Sequence, residues 1–149
     1  MDKNKISLYR AKVIENTITI ESLINIAITI NYFGYIKPDF LLEVLYDEYF
    51  NSGLKIKILK KSFPDKIDNT IENKIRRLIQ IRNLFAHNHN LKIYNGEKWV
   101  VVNPKDYISG YEKTKVKGID FQKLFNEFNI LNRKVKSILE TIVKEKIKT

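Results

Sequence analysis

The sequence contains no cysteine, and only 3 prolines and 5 glycines occur among its 149 residues. The lack of cysteine excludes disulfide bonds, thiol catalysis and thiolate metal sites. Because proline and glycine interrupt regular backbone, their scarcity favours long helices. The 2 histidines alone do not make a zinc site, and the sequence contains neither a P-loop nor a nucleophile elbow. We therefore expect no metal and no other cofactor.

Basic residues outnumber acidic ones, with 27 lysines and arginines against 17 aspartates and glutamates, a formal net charge of +10. A surplus of this size attracts polyanions, and nucleic acid is the first candidate. An anionic membrane or an acidic protein would also suit it, and a lysine-rich surface that only keeps the protein soluble is the plain alternative. The composition and length are those of one globular domain, residues 1–149.

The most apolar stretch, Ile18 to Ile36, contains Glu21, Asn25 and Asn31. These polar side chains favour a buried helix over a membrane span. The segment from Met1 to Arg10 lacks the apolar centre of a signal peptide. The sequence therefore predicts a cytoplasmic protein without a membrane partner.

The spacing of apolar residues predicts five helices. The first could be a strand by its isoleucine and threonine content, but its length favours a helix. The fragment from Leu54 to Phe63 is ambiguous, and a short helix is preferred, with Asn51-Ser52-Gly53 as a break before it. The predicted helices run from about Asn4 to Tyr32, Asp39 to Phe50, Leu54 to Phe63, Asp68-Asn69-Thr70 to His87, and Asp120 to Lys146.

Residues 91–118 have a different character. Two β-branched and aromatic runs between Leu91 and Val102 flank Asn95-Gly96, a strong hairpin signal, and a basic loop follows from Asn103 to Gly118. The fold class predicted is therefore all-α: an antiparallel four- to five-helix bundle with one small inserted β-hairpin.

Arg82 interrupts the apolar stripe of the fourth predicted helix, which contains Leu78 and Phe85. A guanidinium keeps its charge and needs a partner at such a position. Asn83 and His87 lie four residues apart on a neighbouring face. Histidine can take the proton of an RNA 2′-hydroxyl, and arginine can hold the phosphate oxygens, without a metal.

A purely structural explanation of the same residues is available. Arg82 would pair with Glu21, the acid inside the apolar first helix, and His87 would bond to carbonyls at its helix end. The Arg-to-His spacing recurs by chance, so on spacing alone this explanation is favoured.

The segment Arg82-Asn83-Leu84-Phe85-Ala86-His87 resembles the signature of the HEPN superfamily, in which an Arg is followed after four to six residues by a His. The resemblance implies a metal-independent endoribonuclease acting on single-stranded RNA as a homodimer, with two Arg/His sets lining one cleft. It implies Arg82 as phosphate binder, His87 as base or acid and Asn83 as orienting residue. Glu21, the expected partner of Arg82, is predicted as a supporting residue apart from the resemblance. His89 also fits the looser spacing.

The resemblance further implies a toxin or anti-phage defence effector, in some members partnered by a nucleotidyltransferase-like antitoxin. One alternative is a non-catalytic HEPN module that binds a nucleotide or a partner protein, and another is a bundle with no nucleic-acid role. Basic and aromatic residues that interleave after the motif are predicted to bind RNA, or else to form a solvated hairpin: Lys92, Lys98, Trp99, Lys113, Lys115 and Lys117.

Overall fold

The computed structural model describes residues 3–47, 50–87, 91–94, 98–101 and 119–148. Helices make up most of this part of the chain, which confirms the all-α prediction. They are α1 (Lys3–Phe33), a π-helix (Phe40–Leu45), α2 (Ser52–Ser62), α3 (Asn69–His87) and α4 (Phe121–Ile147).

Helix α1 is the centre of the fold and packs against α2, α3, α4 and the π-helix. Its apolar residues spread round most of the helix, so neighbours on several sides can be buried against it. Val13, Ile20, Ile24 and Ala27 are all almost inaccessible. Much of the apolar surface of α1 thus serves packing within one chain, while Leu8 and Ile18 remain exposed.

Helix α1 also has the length and composition of a membrane-crossing helix. The apolar part of Lys5–Phe33 has a mean hydropathy of 1.4, and 50% of that window is buried inside the protein. A core helix of a soluble protein passes the same test of length and composition.

The sequence had predicted an antiparallel bundle, but some neighbouring helices of the structure run in the same direction. Phe85 of α3 packs on Phe121 of α4, with ring centroids 5.1 Å apart, and Arg77 pairs with Glu127 further along, so α3 and α4 are antiparallel. Helices α1 and α4 run in the same direction, as two contacts show. Tyr9 stacks on Phe125, and the Asn132 side-chain amide donates to Asn16 Oδ1. Helix α3 alone opposes α1, α2 and α4.

The chain between α1 and α2 explains this arrangement. Gly34, with a φ of 75°, ends α1, and the following segment runs back along it until the Tyr46 hydroxyl lies 3.3 Å from that of Ser22. Helix α2 can then start beside the middle of α1. The returning segment takes the antiparallel place that an α-helix had been predicted to fill.

A helix is present where one was predicted from Asp39 to Phe50, but it ends at Leu45 and is α-helical only in its first residues, 38–39. The regular part is the short π-helix, where the Tyr46 N–H donates to the Leu41 carbonyl at 3.0 Å, five residues back. The predicted break at residues 51–53 is correct at Asn51 and wrong at residues 52–53, which belong to α2. The Asn51 side chain accepts from the Leu54 N–H at 3.0 Å, which caps α2 and allows it to begin at Ser52.

Helix α3 begins as predicted, because Asp68 Oδ1 accepts the Ile71 N–H at 2.8 Å. After α3, β1 (Leu91–Tyr94) pairs antiparallel with β2 (Lys98–Val101), which also pairs with β3 (Ile119–Asp120). Asp120, predicted to cap the last helix, belongs to β3. The predicted turn at Asn95-Gly96 and the loop Asn103–Gly118 lie outside the described residues.

Candidate functional site at the junction of three helices

The candidate site is centred on Arg82, near the end of α3. Leu78 and Phe85, one turn to either side, are buried, so the stripe places the base of the Arg82 side chain against the core. Its side chain is nevertheless 30% exposed. The guanidinium thus lies at the edge of the core, where a ligand from solvent can reach it.

Glu21 of α1 is the partner of Arg82, as the sequence predicted. Arg82 Nη2 donates to Glu21 Oε1 at 3.3 Å, and Glu21 is 26% exposed. Arg82 Nη1 donates to Asn83 Oδ1 at 3.0 Å. A guanidinium has five N–H donors. Within the described part of the chain two of them are engaged, by Glu21 and by Asn83, and these two contacts hold the group in place.

Two residues of α2, Ser52 and Lys55, complete this junction, and neither was predicted from the sequence. The Ser52 hydroxyl donates to the same Glu21 oxygen at 3.4 Å. Lys55, one turn further, lines a recess with Glu21 and Ser52 that has room for about one water. Burial lowers the pKa of Lys55, and Glu21 and Tyr46 oppose that shift. Asn51 is a good N-cap residue that can mark the start of α2, but no local pattern places Ser52 and Lys55 beside Glu21.

Arg10 is a second arginine at this end of the bundle. Its Nε donates to the Phe85 carbonyl at 2.8 Å. That carbonyl belongs to the last turn of α3, where carbonyls lack partners within the helix and carry partial negative charge. Arg10 therefore fixes the turn that ends at His87. No local sequence pattern predicts this contact, because Arg10 and Phe85 are 75 positions apart.

Other predicted site residues cannot be placed in this geometry. His87 is the last residue of α3, but its side chain lies outside the described residues, as does the whole of His89. The same holds for the side chains of the remaining predicted RNA-binding residues: Lys92, Lys98, Trp99, Lys113, Lys115 and Lys117. Among the residues that are described, no group of three His, Asp or Glu side chains is arranged to hold a metal.

The described residues bring together one permanent cation, a carboxylate that pairs with it, an adjacent amide and a neighbouring lysine. Such an arrangement can bind an anion. Comparison of the chain with protein-family models, curated proteins and solved structures finds no match.

Proposed function

We propose that this protein is a metal-independent endoribonuclease of the HEPN type that cleaves single-stranded RNA. The observation that supports the proposal is the position of Arg82: it belongs to an Arg-Asn-x-x-Ala-His segment, its side chain is 30% exposed, and within the described residues Glu21 and Asn83 engage two of its five N–H donors. A defence or toxin role, with an antitoxin as protein partner, and a place in the cytoplasm are parts of the same proposal that rest on the family resemblance.

The proposed reaction is an internal transfer of the phosphoryl group. The RNA 2′-oxygen attacks the adjacent phosphorus, the bond to the 5′-oxygen breaks, and a 2′,3′-cyclic phosphate and a 5′-hydroxyl result. His87 takes the proton of the 2′-hydroxyl, and the leaving 5′-oxygen receives a proton from a second acid. Arg82 donates to the phosphate oxygens as their negative charge grows.

Glu21 serves this reaction by positioning Arg82. An arginine side chain free in solvent samples many rotamers, and ordering it on substrate binding costs free energy. The contact between Glu21 and Arg82 fixes the guanidinium before substrate arrives, which is the condition for effective electrostatic catalysis. Asn83 contributes through its bond to the other side of the same group.

The second acid is assigned to a second copy of the chain. Helix α1 exposes the apolar side chain of Leu8, with 51% accessible, near the end of the bundle where α3 ends. We expect sedimentation equilibrium to give about twice the chain mass of 17.6 kDa, and Leu8→Glu to shift the protein towards monomer with loss of activity. Ile147→Glu, at an exposed site near the end of α4, is the control. A fully active monomer would remove the dimer from the mechanism.

RNA binding is expected to weaken steeply with salt, because each phosphate contact releases counterions. Reversing the charges of Lys113, Lys115 and Lys117 together should weaken binding by about tenfold or more at moderate salt. Fluorescence anisotropy with a single-stranded oligonucleotide between low and moderate salt measures both effects. The control reverses three exposed lysines of the helices: Lys57, Lys61 and Lys144. If both variants lose the same binding affinity, or if affinity does not change with salt concentration, the loop is not part of the RNA interface.

A second candidate function is a non-catalytic module that binds a nucleotide or a partner protein. The specific observation in its favour is that the Arg82–Glu21 pair also joins α1 to α3, a structural task that needs no catalysis. A gel assay separates the two. Mixed-sequence single-stranded RNA is incubated with the purified wild type and with His87→Ala: cleavage by the wild type alone supports the nuclease, and intact RNA in both supports the module.

A further inference from the structure

We propose that Tyr46 and Lys55 form a nucleotide-binding subsite beside Arg82, in which the tyrosine ring stacks on an unpaired RNA base and the lysine binds an adjacent phosphate. The inference deepens the proposed function and rests on it for the identity of the ligand. It adds a direction to the RNA path, from the Arg82 guanidinium past Glu21 to Lys55 and Tyr46.

Tyr46 presents a fixed and accessible aromatic ring. Its side chain is exposed, with 54% of the residue accessible to solvent. The Lys55 ammonium lies 5.7 Å from the ring centroid, and the Ser22 hydroxyl lies 3.3 Å from the phenol oxygen. Two contacts from two different helices thus hold a ring that remains open to solvent. A ring held in this way stacks on a base at little cost in side-chain entropy.

Tyr46 and Lys55 are joined to Arg82 through one carboxylate. Arg82 and Ser52 both donate to Glu21 Oε1, and Lys55 follows Ser52 by three residues, on the same side of α2. Lys55 and Glu21 line the same recess. A chain of contacts therefore runs from Arg82 to Glu21, Lys55 and Tyr46, with a cation on each side of the carboxylate and an aromatic ring beyond the second cation.

The partial burial of Lys55 fits an anionic ligand. Burial lowers its pKa, and the nearby Glu21 only partly opposes that effect. A desolvated ammonium gains more from a phosphate than an ammonium in water does, because the attraction is screened less. Alternating cation and aromatic ring is also the arrangement by which proteins hold single-stranded nucleic acid, since every base has a face to stack.

The test uses a fluorescent 2′-O-methyl hexanucleotide of mixed sequence, which has no 2′-hydroxyl to react, with the full-length protein. Tyr46→Ala is expected to weaken binding by about fivefold to about a hundredfold, while Tyr46→Phe, which keeps the ring, stays close to wild type. Lys55→Gln is expected to weaken binding and to flatten its dependence on salt. In cleavage assays both losses should fall on KM more than on kcat, because neither residue touches the scissile phosphate.

Matched controls separate the subsite from damage to the fold. Tyr35→Ala removes a tyrosine that is 60% exposed in the loop after α1, and Lys57→Gln removes an exposed lysine of α2. Thermal unfolding checks each variant. Binding unchanged in Tyr46→Ala, or weakened equally in Tyr35→Ala, overturns the subsite while an active wild type preserves the nuclease proposal. Binding that depends on Tyr46 in a protein that cuts no RNA preserves the subsite and overturns the nuclease.

Discussion

Replacing Arg82 with alanine is expected to lower kcat/KM for RNA cleavage by about a hundredfold to about a thousandfold, the usual effect of removing one donor to a developing charge. Arg82→Lys keeps the positive charge but loses the planar set of donors that can contact Glu21 and two phosphate oxygens together. Its activity should therefore lie well below wild type, above that of the alanine variant. Single-turnover cleavage of an end-labelled RNA measures both.

The control for this prediction is Arg76→Ala on the same helix. Arg76 pairs with Glu72 at 2.7 Å, so its removal breaks an ion pair of α3 away from the candidate site. Glu21→Gln is the complementary variant: it leaves the guanidinium but weakens its fixation, and we expect a smaller loss of kcat than in Arg82→Ala. If Arg76→Ala and Arg82→Ala lose the same activity and the same stability, Arg82 is only structural.

Replacing His87 with alanine is expected to lower kcat by about a hundredfold to about ten-thousandfold, the range for loss of a general base or acid. If one His87 acts as base and the partner copy's equivalent as acid, kcat plotted against pH should be bell-shaped in the wild type. In His87→Ala the falls of kcat at low pH and at high pH should disappear. The measurement is kcat over a pH series at constant ionic strength, with substrate above KM.

His89 is the competing histidine and supplies the internal control. His89→Ala should keep most of the activity and the bell-shaped profile if His87 is the catalytic residue. The reverse result, with His87→Ala active and His89→Ala inactive, would move the catalytic assignment by two residues and leave the role of Arg82 intact. Equal activity in both single variants and in the double variant would exclude histidine from the reaction.

The long helices were predictable because each contains a complete pattern. In α3, Asp68 marks the start of the helix, and the spacing of the apolar residues from Ile71 to Phe85 indicates its buried face. The half-buried position of Arg82 follows from that spacing. Its pairing with Glu21 could be anticipated because a permanent cation at the core edge needs an anion, and Glu21 is the charged residue of the apolar part of α1. These inferences depend on local periodicity and on the cost of burying charge.

Other features depend on contacts that local patterns do not record. The Asn51-Ser52-Gly53 sequence suits a turn as well as a helix cap, and only the position of α2 against α1 decides between them. The contact of Arg10 with the last turn of α3 joins residues 75 positions apart. Lys55 and Tyr46 enter the site only because the π-helical segment returns along α1. Hydrophobic periodicity cannot predict such a return.

The most direct test of the account is the chemistry of the cleaved ends in the absence of free metal. Wild-type protein in EDTA is expected to cut mixed-sequence single-stranded RNA into fragments that end in a 2′,3′-cyclic phosphate or its hydrolysis product, and to leave a 2′-O-methyl copy of the same RNA intact. Mass spectrometry of the fragments identifies the ends. Cleavage that EDTA abolishes and magnesium restores, or that persists in the Arg82→Ala/His87→Ala double variant, would contradict the proposed Arg82 and His87 mechanism.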